Sequence, residues 1–243
     1  MHLDLIPRTA LLPVLAAQGA WCRMRAPVLP EAAGARRGEV GTGPKIRLLV
    51  IGDSSAAGVG VERQEDALLG QILRRLTPHA RVRYTLRART GARTGDILEW
   101  LDDLPDPRYD IVVTGFGVND LTKLVPMQRW LDQQVEMISR FHEEYGTKCF
   151  VISGMPPVHQ FPLLPQPLRW TLGLQARRFE RYQRKVLEEH PDCLSVKVHT
   201  QLGRHNMSID GYHPGPSVYA EWAEAVCEKI ISCGLLDRDG SSA

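Results

Sequence analysis

The sequence predicts an α/β fold built on a parallel sheet, and three observations carry that prediction. From Lys45 onward, short apolar runs rich in β-branched residues alternate with longer segments of helical periodicity. Residues able to do chemistry stand where those runs end, as in Gly52-Asp53-Ser54 and Gly117-Val118-Asn119-Asp120. The length of 243 residues fits one large α/β domain, or two small ones, with a sizeable core. Five strands separated by helices pair in parallel through right-handed crossovers.

The elements follow in order. Residues 1–45 read as an N-terminal helix and an irregular connector. The stretch 11–21 is apolar but far too short to span a bilayer. Asp4 precedes it and Pro13 interrupts it, which suits a short helix packed on the domain better than an export signal, although Ala17-Gln18-Gly19 resembles a weak cleavage site. Residues 22–45, rich in Arg, Pro, Gly and Ala, form the connector, and the main domain is assigned to 46–235, with a polar tail at 236–243.

Within that domain, strand one is 46–51, and a helix at about 64–76 carries Ala67, Leu68, Ile72 and Leu76 at helical spacing. Strand two is 81–88, and a helix after Thr94 presents Ile97, Leu98 and Leu101. Strand three is 110–116. The helix at 127–145 aligns Trp130, Leu131, Val135, Ile138 and Phe141 on one face, and strand four is 148–153. A helix at 172–190 stops before Pro191, a short strand lies near 194–198, and the last helix is 215–233.

Residues 154–170 break this rhythm, with five prolines among many apolar side chains. A loop this long in a compact domain is usually functional or disordered, and its apolar content argues for the former. Its place after strand four makes Phe161, Leu163, Leu164, Leu168 and Trp170 candidates for the wall of an apolar substrate pocket.

A net charge of +2 gives no electrostatic footprint for nucleic acid, and the arginines read as solvated faces. The five cysteines, Cys22, Cys149, Cys193, Cys227 and Cys233, are odd in number with no Cys-x-x-Cys pair, so neither a disulfide framework nor a zinc site is expected. Cys149 and Cys227 fall in strand and helix patterns and are expected to pack in the core. A reducing, cytoplasmic location follows, with export as the alternative if the apolar N-terminal segment is a signal.

The chemistry-bearing residues should gather on one sheet edge. Ser54 follows strand one, Gly91 strand two, Asn119 strand three, and Asp210 and His213 strand five. The carboxyl edge of a parallel sheet is where open α/β folds place ligands. A serine at a strand-to-helix turn can aim its hydroxyl and N–H at one spot, as acyl transfer requires. The Asp210-x-x-His213 spacing lets the carboxylate reach Nδ1 and leaves the other ring nitrogen free for the serine proton. His142 and His190 look structural, while His159, in the long loop, is the rival to His213. Gly91 suits a turn needing positive φ or a backbone N–H presented to a ligand, and Asn119 suits a helix cap or an oxyanion donor.

These residues carry a resemblance to the SGNH hydrolase family, also called GDSL esterases/lipases, over about residues 46–232. Gly52-Asp53-Ser54 resembles the first block of that family, Gly117-x-Asn119-Asp120 the third, and Asp210-x-x-His213 the last. Gly91 best matches the glycine of the second block, with Gly95 a looser fit. The first block reads Asp-Ser-Ser here, so Ser55 stands beside the implied nucleophile. The resemblance implies a three-layer α/β/α sandwich with a flavodoxin-like five-stranded parallel sheet of order 2-1-3-4-5. It also implies hydrolysis of carboxylic esters, of short to medium acyl or aryl type, through an acyl-serine.

In that scheme Ser54, His213 and Asp210 are catalytic, while the N–H groups of Ser54 and Gly91 and the Asn119 amide stabilise the oxyanion. No metal or cofactor is implied, and the partner is a small-molecule ester, with no nucleic acid and no membrane span. The alternatives are a carbohydrate O-deacetylase, a thioesterase or an acyltransferase on the same scaffold, since fold does not decide substrate. A non-enzymatic binding module is more remote, because the glycines of 52–60 fit neither the P-loop nor the dinucleotide fingerprint.

Overall fold

The computed structural model describes residues 5–197 and 200–236. Its centre is a six-stranded sheet: β1 (Arg37–Val40), β2 (Lys45–Gly52), β3 (Arg81–Ala88), β4 (Ile111–Gly115), β5 (Cys149–Ser153) and β6 (Cys193–Val196), in the order β1-β3-β2-β4-β5-β6. The last five strands are parallel and follow the expected order. The sixth, β1, pairs antiparallel with β3 from within the segment expected to be irregular. Its side chains are all exposed, so no buried stripe marked it as a strand.

β2 shows why the sheet is sandwiched. Leu48, Leu49, Val50 and Ile51 are all fully buried, as a strand covered on both faces requires. Leu48 and Val50 join Leu68, Ile72 and Leu76 of α2 (Leu68–Leu76) and Trp222, Val226 and Ile230 of α7 (Pro216–Ser232). Leu49 and Ile51 face the other way, into Ile97 of α3 (Thr94–Glu99) and Met137, Ile138 and Phe141 of α5 (Met127–Glu143). The alternation of side chains along one strand thus builds two cores, and the three-layer sandwich follows.

A third apolar cluster lies beyond the sheet. It joins Cys22 of α1 (Leu5–Arg25), Leu121 of α4 (Val118–Thr122), Trp130 of α5, Phe161 and Leu164 of the long loop, and Phe179 of α6 (Leu168–Glu188). The N-terminal helix is therefore packed on the domain as expected, but it is longer than 11–21.

Other boundaries shift for local reasons. The helix expected from 64 begins at 68, because residues 53–67 run as turns held by Gln64, whose amide donates to Ala32 O at 3.1 Å and Ala57 O at 3.0 Å. The loop 154–170 contains a 3-10 turn, Val158–Gln160, and its last residues already belong to α6. Most of the tail, 237–243, lies outside the described residues.

The cysteines need a correction. Cys149 sits in the core, but it is bonded to Cys233, with the Cα atoms 6.3 Å apart. α7 returns across the sheet and ends over the start of β5, a meeting that a separation of 84 residues does not signal. Cys22, Cys193 and Cys227 are buried free thiols. The expectation of a reducing compartment rested on unpaired thiols, and this pair removes that ground.

Gly52 and Gly115 are register partners at the ends of β2 and β4. A Cβ on Gly52 would stand 2.1 Å from the Gly115 carbonyl oxygen, which accepts from Asp53 N–H at 2.9 Å. Gly52→Ala should destabilise the fold by about 1–3 kcal/mol, as overpacking against backbone does. For a chain of this size that lowers Tm by roughly 2–4 °C per kcal/mol. Calorimetry checks this, and an unchanged Tm would show that the strand ends are not so tightly opposed.

Candidate active site

The two loops leaving β2 and β4 start side by side because their strands end in register. The first carries Asp53 and Ser54, and the second carries Asn119 at the head of α4. The turn after β3 brings Gly91, with φ of +81°, to the same edge. The turn before α7 brings Asp210 and His213.

Ser54, His213 and Asp210 form one hydrogen-bonded chain. The Ser54 hydroxyl donates to His213 Nε2 at 2.8 Å, and His213 Nδ1 donates to Asp210 Oδ2 at 2.6 Å. The other Asp210 oxygen accepts from Ser208 Oγ at 2.5 Å, Tyr212 N–H at 2.9 Å and His213 N–H at 3.1 Å. Burial opposes the charged form of this carboxyl, but the bonds from His213, Ser208 and Tyr212 outweigh it and hold its pKa well below the usual carboxylate range. A carboxylate fixed in this way sets the imidazole tautomer, and Nε2 can then take a proton from the hydroxyl.

Gly211 makes the tight turn between the acid and the base. Its φ is +65°, and a Cβ there would lie 2.5 Å from Leu163 Cγ. Leu163, from the long loop, is thus seated against the Asp210–His213 turn. The other loop candidates are placed differently. Phe161, Leu164 and Leu168 are buried in the third core cluster, and Trp170 is exposed on the first turn of α6. His159 lies in the 3-10 turn against Gly173, and the serine is engaged by His213 instead.

The candidate oxyanion donors converge from three loops. Among the described residues, the N–H groups of Ser54 and Gly91 have no hydrogen-bond partner. The Asn119 amide donates to Ala92 O at 3.1 Å and to Asp53 Oδ2 at 3.3 Å. It therefore ties the Ser54 loop to the Gly91 turn rather than capping α4. Ser55 is held through its backbone: its N–H donates to Asp53 Oδ1 at 2.9 Å, and its carbonyl accepts from the Tyr219 hydroxyl at 3.0 Å.

Several supporting residues escaped the sequence reading. Asp53 is buried, and burial, with Asp120 adding repulsion, pushes its pKa up to about 7 against bonds from Ser55 and Asn119. Asp120 is also buried, and its carboxyl accepts from Thr94 N–H and Thr94 Oγ1, which fixes α4 to α3. Glu31, in the connector, accepts from Thr90 N–H at 2.6 Å and Thr90 Oγ1 at 2.9 Å, and Lys123 donates to Gly91 O at 2.6 Å. The Gly91 turn is therefore held from both sides. Only Asp53 and Asp120 carried a signal, since both lie inside the motifs, whereas Glu31 and Lys123 reach the site across the fold. Among the described residues there is no cluster of three or more side chains able to hold a metal ion.

Asp53 yields a prediction with a definite sign. Its folded pKa is raised from 3.8 to about 7, so its contribution to stability is full below about pH 4 and is lost as pH rises through 7. Asp53→Asn cannot ionise, so the Tm difference between wild type and variant should shift in favour of the variant between pH 5 and pH 8. Its new amide would face the Asn119 amide donor to donor, so kcat should fall by roughly ten- to hundredfold with KM nearly unchanged. A Tm difference that is flat with pH would show that Asp53 is not buried as an ionisable group.

The fold has counterparts among known proteins. The family model of the GDSL-like lipase/acylhydrolase family matches residues 50–221. No curated protein sequence matches the chain. Among solved structures, a carbohydrate esterase family 2 enzyme with a carbohydrate-binding domain, from Corynascus thermopiles (Myceliophthora fergusii), is similar at 16% identity and TM-score 0.62, over 80% of this chain and 68% of that one. A lipase/acylhydrolase from Enterococcus faecalis is similar at 18% identity and TM-score 0.62, over 77% and 96%. A carbohydrate acetylesterase family member from Sinorhizobium meliloti is similar at 16% identity and TM-score 0.61, over 79% and 99%. At these identities the likeness is one of fold. The family match covers well over half of the residues, and the chain belongs to the GDSL-like lipase/acylhydrolase family.

Proposed function

We propose that the protein is a serine esterase that hydrolyses carboxylic esters through an acyl-serine. The observation that carries this reading is the continuous chain from Ser54 Oγ through His213 to Asp210. Ser54 attacks the ester carbonyl carbon while its proton passes to His213 Nε2. The tetrahedral oxyanion is met by the N–H groups of Ser54 and Gly91. Asn119 adds its amide by sharing the hydrogen now held in the long 3.3 Å bond to Asp53. His213 then returns the proton to the leaving alcohol. Water repeats the sequence on the acyl-serine and releases the acid.

The substrate reading favours apolar acyl or aryl esters of short to medium length. Its support is the apolar side chain of Leu163, seated against Gly211 in the turn between Asp210 and His213. Phe161 and Leu164 would back Leu163 from the core rather than touch the acyl chain. A carbohydrate O-deacetylase is the second reading, since two structural neighbours are described as carbohydrate esterases. A panel of nitrophenyl esters of increasing acyl length, run beside acetylated xylan, separates the two. Preference for xylan over every nitrophenyl ester would overturn the apolar assignment.

The nucleophile can be tested directly. Ser54→Ala should lower kcat by at least about a thousandfold with Tm little changed, and adding His213→Ala should cost little more, because the members act as a unit. A sulfonyl fluoride should label Ser54 alone, as peptide mass spectrometry would read. Label on Ser55, or turnover surviving in Ser54→Ala, would place the nucleophile elsewhere.

A further inference from the structure

α1 has two unlike faces. Its inner face, Leu11, Leu15, Gln18 and Cys22, recurs at helical spacing and packs on the domain. Gln18 donates its amide to Gln166 O at 2.6 Å and accepts from Leu168 N–H at 3.0 Å. Cys22 packs in the same apolar cluster as Tyr212, the residue before His213. The helix is therefore seated on the catalytic edge itself.

Its outer face is apolar where water would favour polar groups. Leu12, Val14, Trp21 and Met24 are exposed along it, and Val28 is 97% exposed just beyond its end. The small residues Ala16, Ala17 and Ala20 fill the space between them. Three more large apolar residues, Leu124, Trp170 and Ile209, are exposed on segments at the same edge. Charge is also one-sided. The helix has no acidic residue, and Arg23 and Arg25 close its last turn, with the Arg25 guanidinium 5.7 Å from the centre of the Trp21 ring.

We propose that the outer face of α1 docks on the surface of an anionic lipid bilayer. An apolar helical face with tryptophan and a basic end is the composition of a helix that lies in the membrane interface. Arginine heads reach the phosphate layer while their stems stay with the apolar face. The helix lies in the plane of the surface and does not cross it, since no described helix is long and apolar enough to span a membrane. Docking would turn the edge bearing Ser54 toward the lipid. On the esterase reading, an ester dissolved in the bilayer then reaches the serine without crossing bulk water. That consequence rests on the esterase reading, whereas the docking does not.

Co-sedimentation of the full chain with vesicles tests the proposal, using equal parts phosphatidylglycerol and phosphatidylcholine beside phosphatidylcholine alone. The wild type should pellet with the anionic vesicles and be released by salt. Arg23→Ser with Arg25→Ser should weaken that partition by about thirtyfold. Trp21→Ser with Met24→Ser should weaken it by tenfold or more. Both variants should keep wild-type turnover of a soluble nitrophenyl acetate, so a failure of docking is distinguishable from a failure of the esterase reading. No pelleting, or pelleting that neither variant changes, overturns the proposal. So does a wild-type dimer that Trp21→Ser with Met24→Ser dissociates in the absence of vesicle binding, because the face would then be covered by a second copy of this chain.

Discussion

The in-register pairing of β2 and β4 down to their final glycines is the constraint on which the site depends. Gly52 and Gly115 leave no room for a side chain between the strand ends, so the two backbones part from almost the same point. One carries the serine and the other the asparagine. The sheet therefore sets where both loops begin, at the edge where open α/β folds place ligands.

Three buried carboxylates give that edge its electrostatics, and their surroundings separate their roles. Asp210 receives hydrogen bonds on both oxygens and stays charged, as the partner of an imidazole that must gain and lose a proton. Asp53 is buried and holds a proton up to near neutrality, while its oxygens hold the Ser55 and Asn119 donors in place. Burial also raises Asp120, whose work is to lock α4 to α3 through Thr94. Burial pushes all three the same way, and the number and kind of hydrogen-bond donors decides how far each shift is offset.

The N-terminal segment is packed on the domain rather than hanging from it. Its helix covers the edge next to Tyr212, its connector sends Glu31 to hold the turn of Gly91, and its short strand extends the sheet. The connector is tied on by backbone and side-chain hydrogen bonds, with Ala32 and Ala33 joined to Ala57, Glu62 and Gln64. The protein therefore adds to its family domain, matched from residue 50, a segment that both supports the site and presents an apolar face.

The sequence by itself determined the central fold and where its chemical groups stand along the chain. Continuous apolar runs between helices predicted five parallel strands, and those strands are present. Ser54, Asn119, Asp210 and His213 were legible because each lies in a short motif at a strand end, where local turn geometry dictates residue type. Only the tertiary structure decided what depends on meetings between distant segments. β1 has no buried face, and Cys149 meets Cys233 only because α7 crosses the sheet. Phe161 and Leu164 are as apolar as Leu163, yet they fill the core while Leu163 lies against the Asp210–His213 turn. Composition states that such residues will be buried, but which neighbour buries each one is fixed by packing in three dimensions, and no periodicity along the chain records it.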